Sequence, residues 1–398
     1  MTTTFLLLAT LIVASSAENE LLKFAIGNRE LSVAYYEGFN KMNKDPNFVI
    51  SPMSMEAAFG MVYAGARGNT AKQLADGLFF PNNPDELNTL FKAALPFLNS
   101  NDKVSIELAN RLYLQNKFNA RKDFVKIAED VFDAGLEKVN FHDKEKTVNE
   151  INGWMEKMSN GKIKKIIEQK DIDETTVLIL LNSLYLNAEW QNQFGKAVVE
   201  KFYLNKNDFV EVDMMNLKYY FNYYSSEALK ADFLEIPFKD ERLSMVIVLP
   251  QKLDGLEKLE GQLKDIVSEQ PFSKKIVDVS LPRFKIETKV DLISDVLLNM
   301  GVSEPFGQGA DFSGISENSG LHISKAVQKV YLTVSENGTE AAAGTAVEFI
   351  VGSTGDEPEA IQFVADHPFL FYIQKRSDNA NILLFLGKVT NPNFDYPN

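Results

Sequence analysis

Three histidines, His142, His322 and His367, and no cysteine are all that this 398-residue chain offers beyond hydroxyls and carboxylates for nucleophilic catalysis. Thiol chemistry is excluded, and a serine–histidine–carboxylate triad would have to recruit one of those three rings. His322 lies in an alternating, strand-like run and His367 precedes Pro368, so both read as structural. There is no GxSxG elbow, HExxH pair or Walker loop. Gly307-Gln308-Gly309 lacks the third glycine and the preceding strand of a dinucleotide site and reads as a turn, while Asp171 and Asp173 read as solvated loop charges. With no constellation of nucleophile, base and oxyanion donor, the chain is expected not to be an enzyme and to need neither metal nor cofactor.

The residues that stand out are those at 334–366, VSENGTEAAAGTAVEFIVGSTGDEPEAIQFVAD, between a strand-like run at 321–334 and an apolar run at 368–374. Connections of roughly thirty residues are uncommon in compact domains and usually functional. Taken in steps of two, one face of its first half is Thr339, Ala341, Ala343, Thr345, Val347 and Phe349, all small or apolar. The other face, Gly338, Glu340, Ala342, Gly344, Ala346 and Glu348, carries the charges. Strand-type alternation is thus written into a segment of weak strand propensity, as expected of a loop that can become a strand.

Composition sets the context for that segment. Hydrophobic residues make up 45% and charged residues 24%, ordinary values for a globular protein able to bury a large core. Residues 1–17 hold an uncharged apolar run, 5–13, and then Ser15-Ser16-Ala17, the small residues that precede a signal-peptidase cut. They are expected to be a signal peptide, which makes the protein secreted and extracellular, with residues 18–398 as one domain. No linker, repeat or low-complexity tract divides that span. Without cysteine, a secreted chain must be held by its core and not by disulfides. The balance of 41 basic against 55 acidic residues, −14 overall, argues against nucleic-acid and anionic-membrane partners. The most basic stretch, 157–170, reads as a solvated helix end.

Helical spacing predominates in the first third, at 21–40, from Ser51-Pro52 to near Gly65, from an Asn69 cap, and at 84–98, 122–132 and 147–158, the last closed by Asn160-Gly161. A strand is expected at 104–114, and 176–186 is a continuous apolar run of the kind buried on both faces of a sheet. Strands then dominate, at 209–215, 218–224, 233–238, 243–249, 275–286, 321–334, 369–374 and 382–389, interrupted by helical patterns at 256–267 and 290–300. Elements grouped in blocks favour the α+β class.

Residues 336–345, Glu336-Asn337-Gly338-Thr339-Glu340-Ala341-Ala342-Ala343-Gly344-Thr345, resemble the hinge of inhibitory serpins. The resemblance extends through FVISPMSMEAAFGMVYAGARGNT (48–70), ANRLYLQ (109–115), INGWMEKMSNGKI (151–163), LLNSLYLNAEWQNQF (180–194), LPRFKIET (281–288), ADFSGIS (310–316), DHPFLFYI (366–373) and ILLFLGKVTNP (382–392). It implies a serpin fold of three mainly antiparallel sheets with about nine helices, and an exposed reactive-centre loop at about 336–366. It also implies a covalent acyl complex with a target serine protease, trapped when the cleaved loop inserts into the main sheet, a recognised case of β-strand addition. A monomer is expected. Heparin-type polyanion activation is not, since residues 82–102 hold Lys92 as their sole basic residue.

By position the resemblance assigns Ser51, Ser54 and Asn182 to the polar "shutter" beneath the sheet, with Gln328 where the family usually has histidine. Glutamine keeps a donor and an acceptor but does not titrate. Arg283 and Glu336 match a charged pair at the top of the sheet. Counting from Glu336 puts the scissile bond between Gly352 and Ser353, with cleavage after Val351, Ile350 or Phe349 as the alternatives. No Arg or Lys lies between Thr339 and Gln374, which points to an elastase- or chymotrypsin-like target and away from a trypsin-like one. Asn337-Gly338-Thr339 is an N-glycosylation sequon, expected to be unused because a glycan there would obstruct the hinge. The alternative function is a non-inhibitory binding, carrier or storage protein of the same fold.

Overall fold

The computed structural model describes residues 2–43, 46–98, 104–339 and 359–394, with side chains from Ala17 onward. Its α-helices are α1 (Thr2–Met42), α2 (Pro52–Gly65), α3 (Gly68–Leu78), α4 (Pro84–Leu98), α5 (Lys122–Phe132), α6 (Lys144–Met158), α7 (Leu256–Glu260) and α8 (Leu263–Ile266). The first seven strands are β1 (Phe48–Ile50), β2 (Val104–Gln115), β3 (Gly135–Val139), β4 (Leu178–Ala188), β5 (Val198–Tyr203), β6 (Phe209–Ser226) and β7 (Ala231–Pro237). The others are β8 (Leu243–Pro250), β9 (Ser273–Pro282), β10 (Phe284–Asp291), β11 (Lys325–Val334), β12 (Ile361–Val364), β13 (Phe369–Arg376) and β14 (Asn381–Val389). Among the described residues no helix is long and apolar enough to cross a membrane.

The architecture is α+β, as expected. One sheet has five strands in the order β10-β11-β4-β2-β3, and a nine-stranded network runs β1-β14-β13-β8-β7-β6-β9-β12 with β5 added on β6. The expected second and third sheets are continuous because β6 serves both. Its end pairs with β7, its middle with β9, and its start with β5. Helix α2 is the pillar between the layers. Ser51 caps it by accepting from the Ser54 amide, Pro52 opens it, and every residue from Pro52 to Gly65 is buried. That explains its lack of an amphipathic stripe, since a helix surrounded by core needs none.

Several local expectations are corrected. The two strands expected at 209–215 and 218–224 are one, β6, because Asn216 and Leu217 continue the ladder onto β9. Conversely, the single run at 275–286 is two strands in different sheets, with Arg283 at the break after Pro282. The helix expected at 256–267 breaks at Gly261 into α7 and α8, and 290–300 contains a π-helix, Leu292–Leu297. Helix α3 begins at Gly68 without a side-chain cap, so Asn69 is inside it. Residues 321–324 stay outside β11, and His322 therefore lies in a loop, its Nδ1 3.1 Å from the Gly320 carbonyl. His367 is buried, with Nδ1 2.7 Å from Asp366 Oδ1 and Nε2 2.8 Å from the Pro250 carbonyl oxygen. The long connection also ends earlier than expected, because Ile361–Val364 forms β12, parallel to β9.

One buried carboxyl bears on stability. Glu56 of α2 is 3% exposed, its Oε2 accepts from Asn28 Nδ2 at 2.9 Å, and burial pushes its pKa up to about 8 against the opposing pull of that bond. The unfolded chain releases this proton near the ordinary carboxyl value of 4.5. Between the two values the folded state holds a proton that the unfolded state has lost, so this group makes stability fall as pH rises through that window. Glu56→Gln keeps an acceptor for Asn28 and removes the effect. Thermal melts should show little difference from wild type at the acid end and a gain of about 5 °C by the alkaline end.

Candidate functional site

Strands β4 and β11 are neighbours that part. Their parallel ladder covers only Lys325–Gln328 against Ile179–Asn182, although β11 continues to Val334 and β4 to Ala188. Beyond the last rung each strand stays paired on its outer side, β11 with β10 and β4 with β2. The inner edges therefore face one another across an opening in the middle of the sheet.

A fully buried polar cluster sits at that last rung. Gln328 Nε2 lies within donating distance of Asn182 Oδ1 (2.6 Å), the Ser51 carbonyl (2.9 Å) and Ser54 Oγ (3.0 Å). Its Oε1 accepts from the Tyr35 hydroxyl at 2.8 Å and the Ser51 amide at 3.0 Å. Burial, with a smaller contribution from the charge of Asp295, pushes the Tyr35 hydroxyl well above its ordinary value, so it stays a donor. Asn182 Oδ1 also accepts from Ser54 Oγ at 2.7 Å, and its Nδ2 donates to the Ser54 carbonyl at 2.6 Å and to Asn110 Oδ1 at 2.5 Å. Every hydrogen-bonding position of the Asn182 amide is used. Asn110, Asn182 and Gln328 occupy one row across β2, β4 and β11, and Ser51 and Ser54 tie that row to the start of α2.

At the other end of the opening the chain leaves β11 and turns back. Ser335 and Gly338 exchange backbone hydrogen bonds of 2.9 and 3.2 Å, closing a two-residue hairpin over Glu336 and Asn337. Gly338 then meets Glu189 in an antiparallel bridge, and the Thr339 amide donates to the Ala188 carbonyl at 2.9 Å. Thr339 is 2% exposed; its Oγ1 donates to the Leu186 carbonyl at 3.1 Å and accepts from the Ala188 amide at 2.9 Å. Gly338 has φ +144, and a Cβ there would lie 2.0 Å from the Ala188 carbonyl oxygen, so only glycine fits. Trp190 fixes the turn from below: its Nε1 donates to the Ser335 carbonyl at 2.8 Å, its amide to the Asn337 carbonyl at 2.9 Å, and its ring stacks on Phe238 at 4.4 Å.

Glu336 is held from the side. Arg283 Nε donates to Glu336 Oε2 at 2.8 Å, Nη2 completes the fork on Oε1, and Nη1 reaches Asp213 Oδ2 at 3.2 Å. Partial burial alone would push the Glu336 carboxyl up, but the hydrogen bonds and charge of Arg283 win and hold it below its ordinary 4.5. Stability from this pair is present at neutral pH and is lost only as pH falls through the depressed value.

Ser51, Ser54, Asn182 and Gln328 are thus brought together, and Arg283, Glu336, Gly338 and Thr339 meet at the top of the opening. Glu340, Ala341, Ala342, Ala343, Gly344, Thr345, Phe349, Ile350, Val351, Gly352 and Ser353 lie outside the described residues. Sequence reasoning missed Asn110, Tyr35, Trp190 and Asp213. Asn110 had a signal, a polar residue amid apolar ones in ANRLYLQ; the other three gave none.

Known proteins resemble the chain over nearly all its length. The family model described as "Serpin (serine protease inhibitor)" matches residues 27–392. The human leukocyte elastase inhibitor is 37% identical over 379 residues, 92% of this chain and 98% of that protein. The crystal structure of Serpin48, a highly specific serpin of the insect Tenebrio molitor, superposes with a TM-score of 0.84 at 34% identity, covering 93% of this chain and 98% of its own. Human thyroxine-binding globulin, solved with its ligand, superposes at 0.83 and 25% identity, covering 94% and 99%.

Substitutions at two positions probe the ends of the opening. Gln328→Leu strips the Tyr35 hydroxyl, the Ser51 amide and Asn182 of a partner, at about 1–3 kcal/mol for each buried group. It should lower Tm by roughly 5 °C or more, while Gln328→His, which keeps a donor and an acceptor, stays within roughly 3 °C of wild type. Equal melting of the two variants would contradict the role given to the amide. Glu336→Lys sets two cations side by side and frees the turn. After mild heating, a native gel should show a polymer ladder for this variant at temperatures where wild type remains one band.

Proposed function

The chain belongs to the serpin family, and from that premise we propose that it is a suicide inhibitor of a serine protease whose cleaved reactive loop inserts between β4 and β11. The observation that carries this reading is the hinge. After the Ser335–Gly338 hairpin the chain already runs antiparallel to β4 at the mouth of the opening, with Thr339 buried against the Leu186 and Ala188 carbonyls. A strand continuing in that direction would be antiparallel to both neighbours. It would replace a short parallel contact with two antiparallel ladders, the more stable pairing.

The protease serine attacks the carbonyl carbon of the residue before the scissile bond, read as Gly352, and forms the acyl-enzyme as the amine of Ser353 departs. The loop, no longer tethered at Ser353, enters the sheet stepwise from Thr339. Ala341, Ala343 and Thr345 share Thr339's face and are small enough to pass beneath a packed sheet, while Glu340 and Glu348 stay on the solvent side. The acylated protease is carried along before water completes hydrolysis. The bait lacks a basic residue, and the nearby likeness to an elastase inhibitor supports an elastase- or chymotrypsin-like target, cleaved after Val351 or Gly352. The protein would act as a monomer, without cofactor or polyanion, after export directed by residues 1–17.

The second reading, a carrier of the same fold, is favoured by the likeness to thyroxine-binding globulin, and it does not require the loop to insert. The two separate on one measurement. Incubation with elastase, chymotrypsin or subtilisin should give an SDS-stable complex with one of them, and N-terminal sequencing of the released fragment should begin at Ser353 or up to three residues earlier. Loop-cleaved protein should melt at least 20 °C above the intact form, since each new backbone hydrogen bond contributes about 1 kcal/mol. Unchanged melting after cleavage, with no complex, would favour the carrier.

A further inference from the structure

Away from the opening, a cleft of about 320 Å³ lies between α1, the chain joining α3 to α4, and α4. Its walls are Phe24, Ile26, Phe79, Phe80, Pro81 and Leu87, and Glu56 of α2 forms its floor. Two wall residues break the usual pattern of burial: Ile26 is 52% exposed and Phe79 is 44% exposed. Phe79 also sits in the left-handed region, φ 58 and ψ 31, where a bulky side chain is an outlier that surrounding structure must hold in place.

The charges around the cleft are unequal. Lys23 at the rim is shared between Glu20 at 3.6 Å and Glu86 at 3.9 Å, and Glu30 pairs with Lys264 at 2.8 Å. Glu56 differs: its Oε2 accepts from Asn28 Nδ2 at 2.9 Å, and burial and that bond, with no neighbouring charge, govern the carboxyl. Asn28 cannot move to serve the second oxygen, because its Nδ2 and Oδ1 also clamp the Leu383 backbone, at 3.3 and 2.8 Å. A carboxyl with no cation beside it under an apolar vestibule is complementary to a ligand with a compact cation at one end and a hydrocarbon body at the other.

We propose that this cleft binds small amphiphilic ammonium compounds, arylalkylamines above all, with the ammonium on the Glu56 carboxylate and the apolar body against Ile26, Phe79 and Phe80. No bond is made or broken; the only exchange is the Glu56 proton, which leaves to solvent as the cation arrives. Burial holds the empty-site carboxyl neutral up to about pH 8, so ionising it opposes binding in acid and ceases to do so near that value. Lys23, Glu30 and Glu86, each in an ion pair at the rim, are the other charged groups lining the cleft. Affinity should therefore climb by up to about tenfold per pH unit below it.

Titration calorimetry of the full chain with phenethylammonium chloride tests this. One saturable site is expected, at least about tenfold tighter at pH 8 than at pH 6, with a proton released on binding. Its uncharged counterpart 2-phenylethanol should bind at least about tenfold more weakly at pH 8. Glu56→Gln should lose about tenfold or more in amine affinity together with the pH dependence, while Phe79→Gly weakens amine and alcohol alike. Thermal melts of both variants confirm that they are folded. No saturable binding, equal affinity for the alcohol, or an unaltered Glu56→Gln titration would each overturn the proposal.

Discussion

The carboxamide of Gln328 is the constraint on which the rest of the sheet depends. It lies on the last rung shared by β4 and β11, and through it β11 is tied to β4, to the start of α2 and to α1. In water a single amide bond contributes little to stability; in a dry core the cost of leaving its partners unmade is what counts. Strands cannot separate by one more rung without stripping Asn182, the Ser51 amide and the Tyr35 hydroxyl together. The cluster thus makes opening all-or-none, and because an amide does not titrate in the physiological range, the threshold does not move with pH there.

The upper end of the opening is governed by different physics. There the backbone turns back onto the end of β4, in the two-residue turn and the Gly338–Glu189 bridge, and what holds it is charge and hydrogen bonding: Arg283 on Glu336, Trp190 on the Ser335 and Asn337 carbonyls. A sheet with one unfilled place, an adjacent segment of matching alternation, and separate holds at its two ends has the properties of a metastable state. Filling that place would add hydrogen bonds along both inner edges, whereas the closed arrangement is kept by a few polar contacts.

Much of this was legible in the sequence because it is written in local patterns. The alternation of small residues after Thr339, the Ser51-Pro52 start of α2, and the apolar run that became β4 each follow from side-chain geometry within a few residues. What escaped reading is non-local. Arg283 occupies a break between two strands of different sheets, and although Pro282 marks an interruption in the pattern from Lys275 to Ile286, nothing in it tells that the partner sheet changes there. β3, buried unevenly over five residues, has too short a pattern to register. That β4 and β11 share only four rungs is invisible for a deeper reason: both strands carry buried residues along their whole length, and a strand's composition does not reveal where its neighbour departs.

The hairpin from Ser335 to Gly338 also serves as a clock mark. Two residues of turn bring Thr339 to the sheet with its side chain inward, and since side chains alternate, that one placement would set the phase of any strand continuing from it. Adding or removing a single residue after Gly338 would leave the composition of the loop nearly unchanged, yet in the proposed inserted strand it would turn Glu340 and Glu348 toward the core and Ala341 and Ala343 toward water. Length along this stretch would then be information of a digital kind, even and odd, where most loops tolerate it as a continuous quantity.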